Sequence, residues 1–355
     1  MKVVVAMSGG VDSSVAAALL LKEGHEVIGA FMKNWSEDAD KCTGECGWQH
    51  ERADALRVAA HLGIRFETFD FEKEYRSAVV DYLVREYAAG RTPNPDVMCN
   101  KMVKFGPFID RARELGAVAI ATGHYARIER RDGSYRLLAG VDENKDQSYF
   151  LHRLNHEQLA MTLFPVGHLR KPEVRGLATE FGLPTAEKKD SQGICFIGKV
   201  NLAEFLRSRI AGRVGPIVTV EGEVVGKHDG LAPYTIGQRH GMNLGGGTPY
   251  FVVEKDPARN TLVVARGADH PALFSHALIA EDAHWIAGEP PKRPQRCAAR
   301  IRYRQPLQSV SVTEETGGKI RVTFDAPQRA VSPGQFVVFY DGEACLGGAV
   351  IVRGE

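Results

Sequence analysis

The stretch VVVAMSGGVDSSVAAALL, residues 3–20, decides the fold. It begins as a short β-branched run, the composition of a strand buried on both faces. Two glycines follow at positions 9 and 10, then an Asp, two serines and an Ala/Leu run suited to a helix. The pattern predicts a strand over 2–7 and a helix over 13–23, with Asp12 or Ser13 as N-cap and Gly24 just past its end. Strand, glycine loop and helix together make an anion site. Glycines let backbone N–H groups approach phosphate oxygens, and the helix N-terminus adds its positive dipole. The loop lacks the lysine of GxxxxGK[ST], and it is not a GxGxxG followed by an acidic residue closing the next strand.

Outward from this loop, strands and helices alternate. Residues 26–32 and 64–71 read as strands, 51–62 as a helix closed by Gly63, and 73–89 as a long amphipathic helix ending at Gly90. A further helix lies within VKFGPFIDRAREL (103–115), and AVAIATGH (117–124) reads as a fourth strand. This is the α/β class, a parallel sheet with helices on both faces, whose ligands bind at the carboxyl ends of the strands. The glycine loop, Met32 and Thr122–His124 all fall at such ends, with His124 read as a structural strand-end residue. RIERRDGSYRLL (127–138) reads as a hairpin with a DG turn. Helical patterns continue to about residue 209, after which the chain turns Val/Ile/Gly-rich with short strands and a Pro-rich joint, GEPPKRP (288–294). The expected division is an α/β domain over 1–207, a small β-rich domain over 208–274 and a C-terminal β-barrel domain over 275–355.

The bulk composition fits this reading. Of 355 residues, 44% are hydrophobic and 25% charged, and the net charge of +1 neither announces nor excludes a nucleic-acid partner. No apolar run approaches the ~20 residues that span a bilayer, and the N-terminus lacks signal-peptide features. A cytoplasmic chain is expected. Six cysteines are too few for a disulfide scaffold in a chain of this size, and are expected to be free, metal-bound or catalytic.

Two cysteines sit in polar loops. GRTPNPDVMCN (90–100) crowds Asn94, Asp96, Cys99 and Asn100 into a segment stiffened by prolines, and reads either as a rigid site loop or as a turn with a buried thiol. In AEKKDSQGICFIG (186–198), Lys188 and Lys189 lie near Cys195 and would favour its thiolate, although ICFI also suits a buried cysteine. Cys42 and Cys46 with His50 have spacing that invites a metal, but no second Cys/His pair accompanies them, so a surface loop with free thiols is expected. Cys297 and Cys345 read as structural. RPQRCAARIRYR (293–304) is the strongest basic patch; a strand over 299–304 would put Arg300, Arg302 and Arg304 on one face, with Ile301 and Tyr303 on the other.

SGGVDSS resembles the PP-loop of the ATP pyrophosphatases, which cradles the pyrophosphate portion of ATP. The resemblance implies transfer of AMP to a carbonyl-type oxygen, with Mg²⁺ carried by ATP and Asp12 as a candidate ligand rather than a protein cage. The acceptor is left open by this motif alone. A nitrogen-transferring ligase of the same class and a non-catalytic RNA-binding protein with a relic nucleotide site are the competing readings.

Taken in order, SGGVDSS, GRTPNPDVMCN, ATGHY, NKDQSYFL, KDSQGICFIG, YTIGQRHG, RYRQ and SPGQFVVFYDGEACLGGAVI resemble the bacterial tRNA-specific 2-thiouridylases across essentially the whole chain. The resemblance implies ATP-dependent replacement of the 2-oxygen of the wobble uridine by sulfur. It implies Cys99 as nucleophile, Cys195 as persulfide carrier, a transient Cys99–Cys195 disulfide, and Asp96 as a general acid/base. ATP contacts carry over to Ala6, Met7, Ser8, Gly9, Gly10, Val11, Asp12, Ser13, Met32 and Gly123. Target-base contacts fall on Asn94, Pro95 and Asp96, and tRNA contacts on Lys145, Asp146, Gln147, Arg302 and Tyr303. The implied partners are tRNA and a sulfur-relay protein or cysteine desulfurase, with the enzyme a monomer.

Overall fold

A computed structural model describes residues 1–36, 47–189, 202–245, 247–290 and 295–355. Cys195, and with it the Cys99–Cys195 pairing, lies outside the described residues, as do Cys42 and Cys46.

The opening stretch forms β1 (Lys2–Ala6) and α1 (Val11–Lys22). After them come β2 (Glu26–Lys33), α2 (Gly47–Leu62), β3 (Arg65–Asp70) and β4 (Ala119–Ala121). The hairpin β5 (Ala126–Arg131) and β6 (Ser134–Ala139) turns through Asp132 and Gly133, whose φ of 51° and 79° are those a two-residue primed turn requires. With β7 (Thr162–Leu163), the parallel sheet runs in the order β3-β2-β1-β4-β7. Alternate residues of its strands enter two cores. Val3, Val5, Val27 and Phe31 pack with α1, α2 and the helix Lys171–Glu180, whereas Val4, Ala6, Ile28 and Met32 pack on the other face with Val97, Cys99 and Phe105. Burial on both faces is why the strands read as unbroken apolar runs.

The N-cap of α1 differs from the sequence expectation. It is Gly10, with no side-chain cap, because Asp12 and Ser13 already lie inside the helix. The expected helix over 73–89 is also interrupted: Glu72–Tyr75 and Asp81–Ala88 are α-helical, and Arg76–Val80 between them is a π turn. A second π turn, Asn100–Lys104, follows Cys99. Such turns insert a residue into a helix and concentrate at functional sites.

Four strands, β8 (Gly215–Thr219), β9 (Val224–His228), β10 (Tyr250–Asp256) and β11 (Thr261–Arg266), form a central sheet in the order β10-β11-β8-β9. The C-terminal strands are β12 (Phe274–Trp285), β13 (Gln295–Arg300), β14 (Gln308–Glu314), β15 (Ile320–Arg329), β16 (Phe336–Asp341) and β17 (Ala344–Gly354). They run β12-β15-β14-β13-β16-β17, and β17 pairs back onto β12, closing an antiparallel barrel. The β5–β6 hairpin does not belong to the parallel sheet. It pairs with β17 through Leu138 and Ala344 and so extends the barrel. Phe336, Val338 and Tyr340 of the barrel share one apolar core with Cys99 and Met32.

Candidate active site

The loop between β1 and α1 is fixed by its own hydroxyls. Ser13 Oγ accepts from Ser8 N at 3.2 Å and donates to Gly10 O at 3.2 Å, and Ser14 Oγ donates to Gly10 O at 2.8 Å. Gly9 has φ 72°, and a Cβ there would lie 2.2 Å from Glu51 O. Gly10 brings no side chain to the helix start, so the first N–H groups of α1, which have no intrahelical acceptor, are left without a side-chain cap. At the end of β4, a Cβ on Gly123 would lie 2.6 Å from Ser13 N. Only glycine permits that approach, and it brings the carboxyl ends of β1 and β4 together.

Two lysines remote in sequence close on this loop. Lys171 Nζ donates to Asp12 Oδ1 at 2.7 Å and Oδ2 at 2.9 Å, and Tyr125 Oη donates to Oδ1 at 2.7 Å. Lys188 Nζ donates to Gly9 O at 3.0 Å and also pairs with Asp54. Lys188 is thereby tied to both the phosphate loop and α2. The Asp12 carboxylate is one-third exposed and retains acceptor lone pairs, so it suits an outer ligand to a Mg²⁺ held chiefly by phosphates and water. Among the described residues no cluster of three or more His, Cys, Asp or Glu could hold a metal by itself.

The proline-rich segment is a helix start rather than a loop. Asn94 caps Pro95–Cys99, its Oδ1 accepting from Val97 N at 3.3 Å, and Pro95 sits in the first turn, where a missing N–H costs nothing. This seats Cys99 in the core, 1% exposed, and leaves Asp96 half-buried. The helix is anchored from the barrel. Gln335 Nε2 donates to Thr92 O at 3.0 Å and Pro93 O at 3.1 Å, and its Oε1 accepts from Asn94 Nδ2 at 3.4 Å. Just after Cys99, buried Lys104 donates to Asn100 Oδ1 at 3.1 Å and lies 3.5 Å from His124 Nε2. Burial, reinforced by the Lys104 charge, holds the His124 ring well below the usual imidazole range, hence neutral. His124 Nδ1 bonds Thr122 Oγ1 at 2.7 Å.

The two segments expected to meet tRNA are brought together. Tyr303 Oη donates to Lys145 O at 3.5 Å, and its ring lies 4.6 Å from that of Phe150. Asp146 is 3% exposed; it accepts from Gly140 N and Ser148 N, both at 3.0 Å, and pairs with Arg300 at 3.4 Å. Gln147 Oε1 accepts from Tyr125 N at 3.0 Å. The expected strand over 299–304 is corrected. β13 ends at Arg300, and Arg304 has φ 63° in a turn, so the three arginines share no face. Arg300 is buried against the Tyr340 ring at 4.8 Å, Arg304 is exposed, and Arg302 Nη2 donates to Ala330 O at 2.7 Å and Ile236 O at 3.2 Å. Arg302, Gly237, Gln238, Ser332 and Gln335 line a cleft of about 360 Å³ beside Asn94. Cys297 and Cys345 lie in β13 and β17, where burial pushes their thiols up to about 11 and about 12.

Residues 1–199 match the family described as tRNA methyl transferase HUP domain, 203–266 the tRNA methyl transferase PRC-barrel domain, and 275–351 the aminomethyltransferase beta-barrel domain. The chain is 53% identical over 353 residues to the tRNA-specific 2-thiouridylase MnmA of Alkaliphilus oremlandii, covering 99% of this chain and 96% of that protein. It is 52% identical over 359 residues to that of Pseudomonas aeruginosa strain LESB58, covering 100% of this chain and 95% of that one. The chain belongs to the tRNA-specific 2-thiouridylase family. A solved 4-thiouridine synthetase–RNA complex with bound ATP aligns at 21% identity and a TM-score of 0.37, over 59% of this chain and 50% of that one.

For this 2-thiouridylase-family chain, sequence reading missed Lys171, Tyr125, Lys104 and Gln335. Tyr125 and Gln335 fall inside the motifs ATGHY and SPGQ, but neither motif shows what its residue touches; Lys171 and Lys104 carry no local signal, and packing brings each of the four to the site. The nearest clue was GHY, which puts Tyr125 one residue beyond the strand end.

Proposed function

We propose that this chain is an ATP-dependent sulfurtransferase that converts the wobble uridine of tRNA to 2-thiouridine. The observation that carries the reading is an uncapped glycine loop after β1 together with a buried cysteine helix whose Val97 and Cys99 share one apolar core with Ala6 and Met32, near the carboxyl ends of β1 and β2. The uncapped N–H groups at the start of α1 hold the pyrophosphate portion of ATP, with Ala6–Ser13, Met32 and Gly123 around the nucleotide. Mg²⁺ accompanying ATP supplies charge neutralisation at the phosphates, with Asp12 beside it.

Asn94, Pro95 and Asp96 receive the target base. Its 2-oxygen attacks the α-phosphorus, the bond to the β-phosphate breaks, and pyrophosphate leaves with the electron pair. Asp96 takes the proton released as the base is activated. Sulfur from a Cys195 persulfide then reaches C2, either directly or as hydrogen sulfide freed when Cys99 attacks. The C2–oxygen bond breaks and AMP leaves. In the direct route Cys99 then attacks Cys195 Sγ, the bond between Cys195 and the transferred sulfur breaks, and 2-thiouridine is released. Either route thus ends in a Cys99–Cys195 disulfide that must be reduced.

Lys145, Gln147, Arg302 and Tyr303 contact the tRNA, and Asp146 holds their segment in place. The chain acts in the cytoplasm as a monomer, is charged with sulfur by a relay protein or cysteine desulfurase, and divides into domains after residues 207 and 274. Among the described residues no helix is long and apolar enough to cross a membrane. The test is product analysis of Cys99→Ser and Cys195→Ser. Each is expected to abolish thiolation while still binding ATP, and wild-type thiolation by either overturns the pairing. Release of ADP rather than AMP overturns the adenylation step.

A further inference from the structure

Asn34 is 1% exposed, and among the described residues neither its amide nitrogen nor its amide oxygen has a hydrogen-bond partner. A buried amide left unpaired costs about 1–3 kcal/mol per group, so such a side chain needs an explanation. Its position supplies one. Asn34 directly follows β2, two residues beyond Met32, at the carboxyl end of the parallel sheet. Its neighbours are occupied: Lys33 Nζ is held by Asp70 at 3.1 Å and Glu72 at 2.8 Å, and Trp35 packs edge-on to Phe205 at 6.4 Å. Lys33 and Trp35 thus fix the backbone on either side, and the amide between them is rigidly placed.

Ligands of parallel α/β sheets bind outside the carboxyl ends of the strands, and in the ATP-dependent reading above Met32, two residues before Asn34 at the end of β2, lies beside the nucleotide. An asparagine amide offers one donor face and one acceptor face side by side, the complement of an adenine edge with its exocyclic amino group and ring nitrogen. We propose that Asn34 is the residue that reads the adenine base of ATP, by a bidentate contact to the 6-amino group and an adjacent ring nitrogen. The inference rests on the ATP-dependent reading above and adds the residue that recognises the base.

The experiment measures binding rather than turnover. Dissociation constants of ATP and of purine riboside triphosphate, which lacks the 6-amino group, are determined for the wild type and for Asn34→Leu. The wild type is expected to lose about tenfold in affinity on removal of the amino group, as a buried amide is left half-paired. Asn34→Leu is expected to bind ATP about tenfold or more weakly and to bind the two nucleotides equally. Leucine keeps asparagine's branched outline with slightly bulkier ends and removes the unpaired polar atoms, so the melting temperature of the nucleotide-free variant should be unchanged or raised. Discrimination by Asn34→Leu equal to that of the wild type overturns the proposal. So does a variant whose tRNA affinity falls while its ATP affinity does not, because the amide would then address the target base. If the wild type fails to bind ATP at all, the functional reading itself fails, a result distinct from either.

Discussion

Lys171 Nζ straddles both carboxylate oxygens of Asp12, at 2.7 and 2.9 Å, although 159 positions separate the two residues. The phosphate loop thus has a lysine after all, supplied by the first turn of the helix Lys171–Glu180 rather than by the loop. Removing it would leave the Asp12 charge facing the phosphates. Lys171→Met is therefore expected to weaken ATP binding by about tenfold or more, and Asp12→Asn in the same chain to recover part of that loss. Calorimetric titration with ATP checks this, and an unchanged affinity for Lys171→Met would show the pair to be merely structural.

Gly9 combines φ 72° with a Cβ position 2.2 Å from the Glu51 carbonyl. Gly9→Ala must both strain the backbone and push α2 away. A loss of about 2–4 kcal/mol in urea unfolding is expected, together with loss of ATP binding. Gly24→Ala is a control: its φ of 80° carries the same strain, but nothing lies within 4 Å of the added Cβ. It should lose about 1 kcal/mol and keep ATP affinity.

Gln335 holds Thr92, Pro93 and Asn94 from the barrel side. Gln335→Ala is expected to loosen the seat of the Cys99 helix and lower kcat for thiolation about tenfold, roughly the worth of one or two lost hydrogen bonds. ATP affinity should not change, because these bonds hold Thr92, Pro93 and Asn94 and none reaches the phosphate loop. A single-turnover assay separates the two.

Burial lowers Lys255 to about 8, its ammonium donating to Tyr234 O at 2.8 Å and lying 5.8 Å from the Tyr87 ring centroid. Its ordinary value is about 10.4, so between these limits the unfolded chain keeps a proton that the folded chain has lost. Stability therefore rises with pH across that window, and the cost of burying the cation is fully present below it. A rise of about 2–3 kcal/mol is expected across the window. Lys255→Met should remove the rise in urea unfolding compared at neutral and alkaline pH, and should be the more stable chain at neutral pH.

The phosphate loop and the parallel sheet were legible because local chemistry dictates them: β-branched runs, paired glycines and an Ala/Leu helix need no partner to be read. The cysteine segment was only half legible. Its prolines signalled rigidity, but Asn94 as cap and Pro95 in the first turn make a helix start, a distinction that rests on one side-chain hydrogen bond. The basic patch misled because alternation was extended past Arg300, where the chain leaves the strand and turns at Arg304. The β5–β6 hairpin was read correctly as local structure, but its membership of the barrel depends on a contact with β17 some 200 residues away. The contacts of Lys171, Tyr125 and Gln335 were illegible for the same reason, although the last two lie within quoted motifs. A lone lysine or glutamine carries no pattern, and its role exists only once the elements have packed.

The central claim is that the loop and the two cysteines serve one reaction on a tRNA base. Mass spectrometry of nucleosides from tRNA incubated with the chain, ATP, Mg²⁺ and a persulfide source tests it most directly. The account requires one sulfur in place of one oxygen at the wobble uridine, dependent on ATP and lost in Cys99→Ser. Unmodified uridine under those conditions, with tRNA bound and ATP consumed, would contradict it.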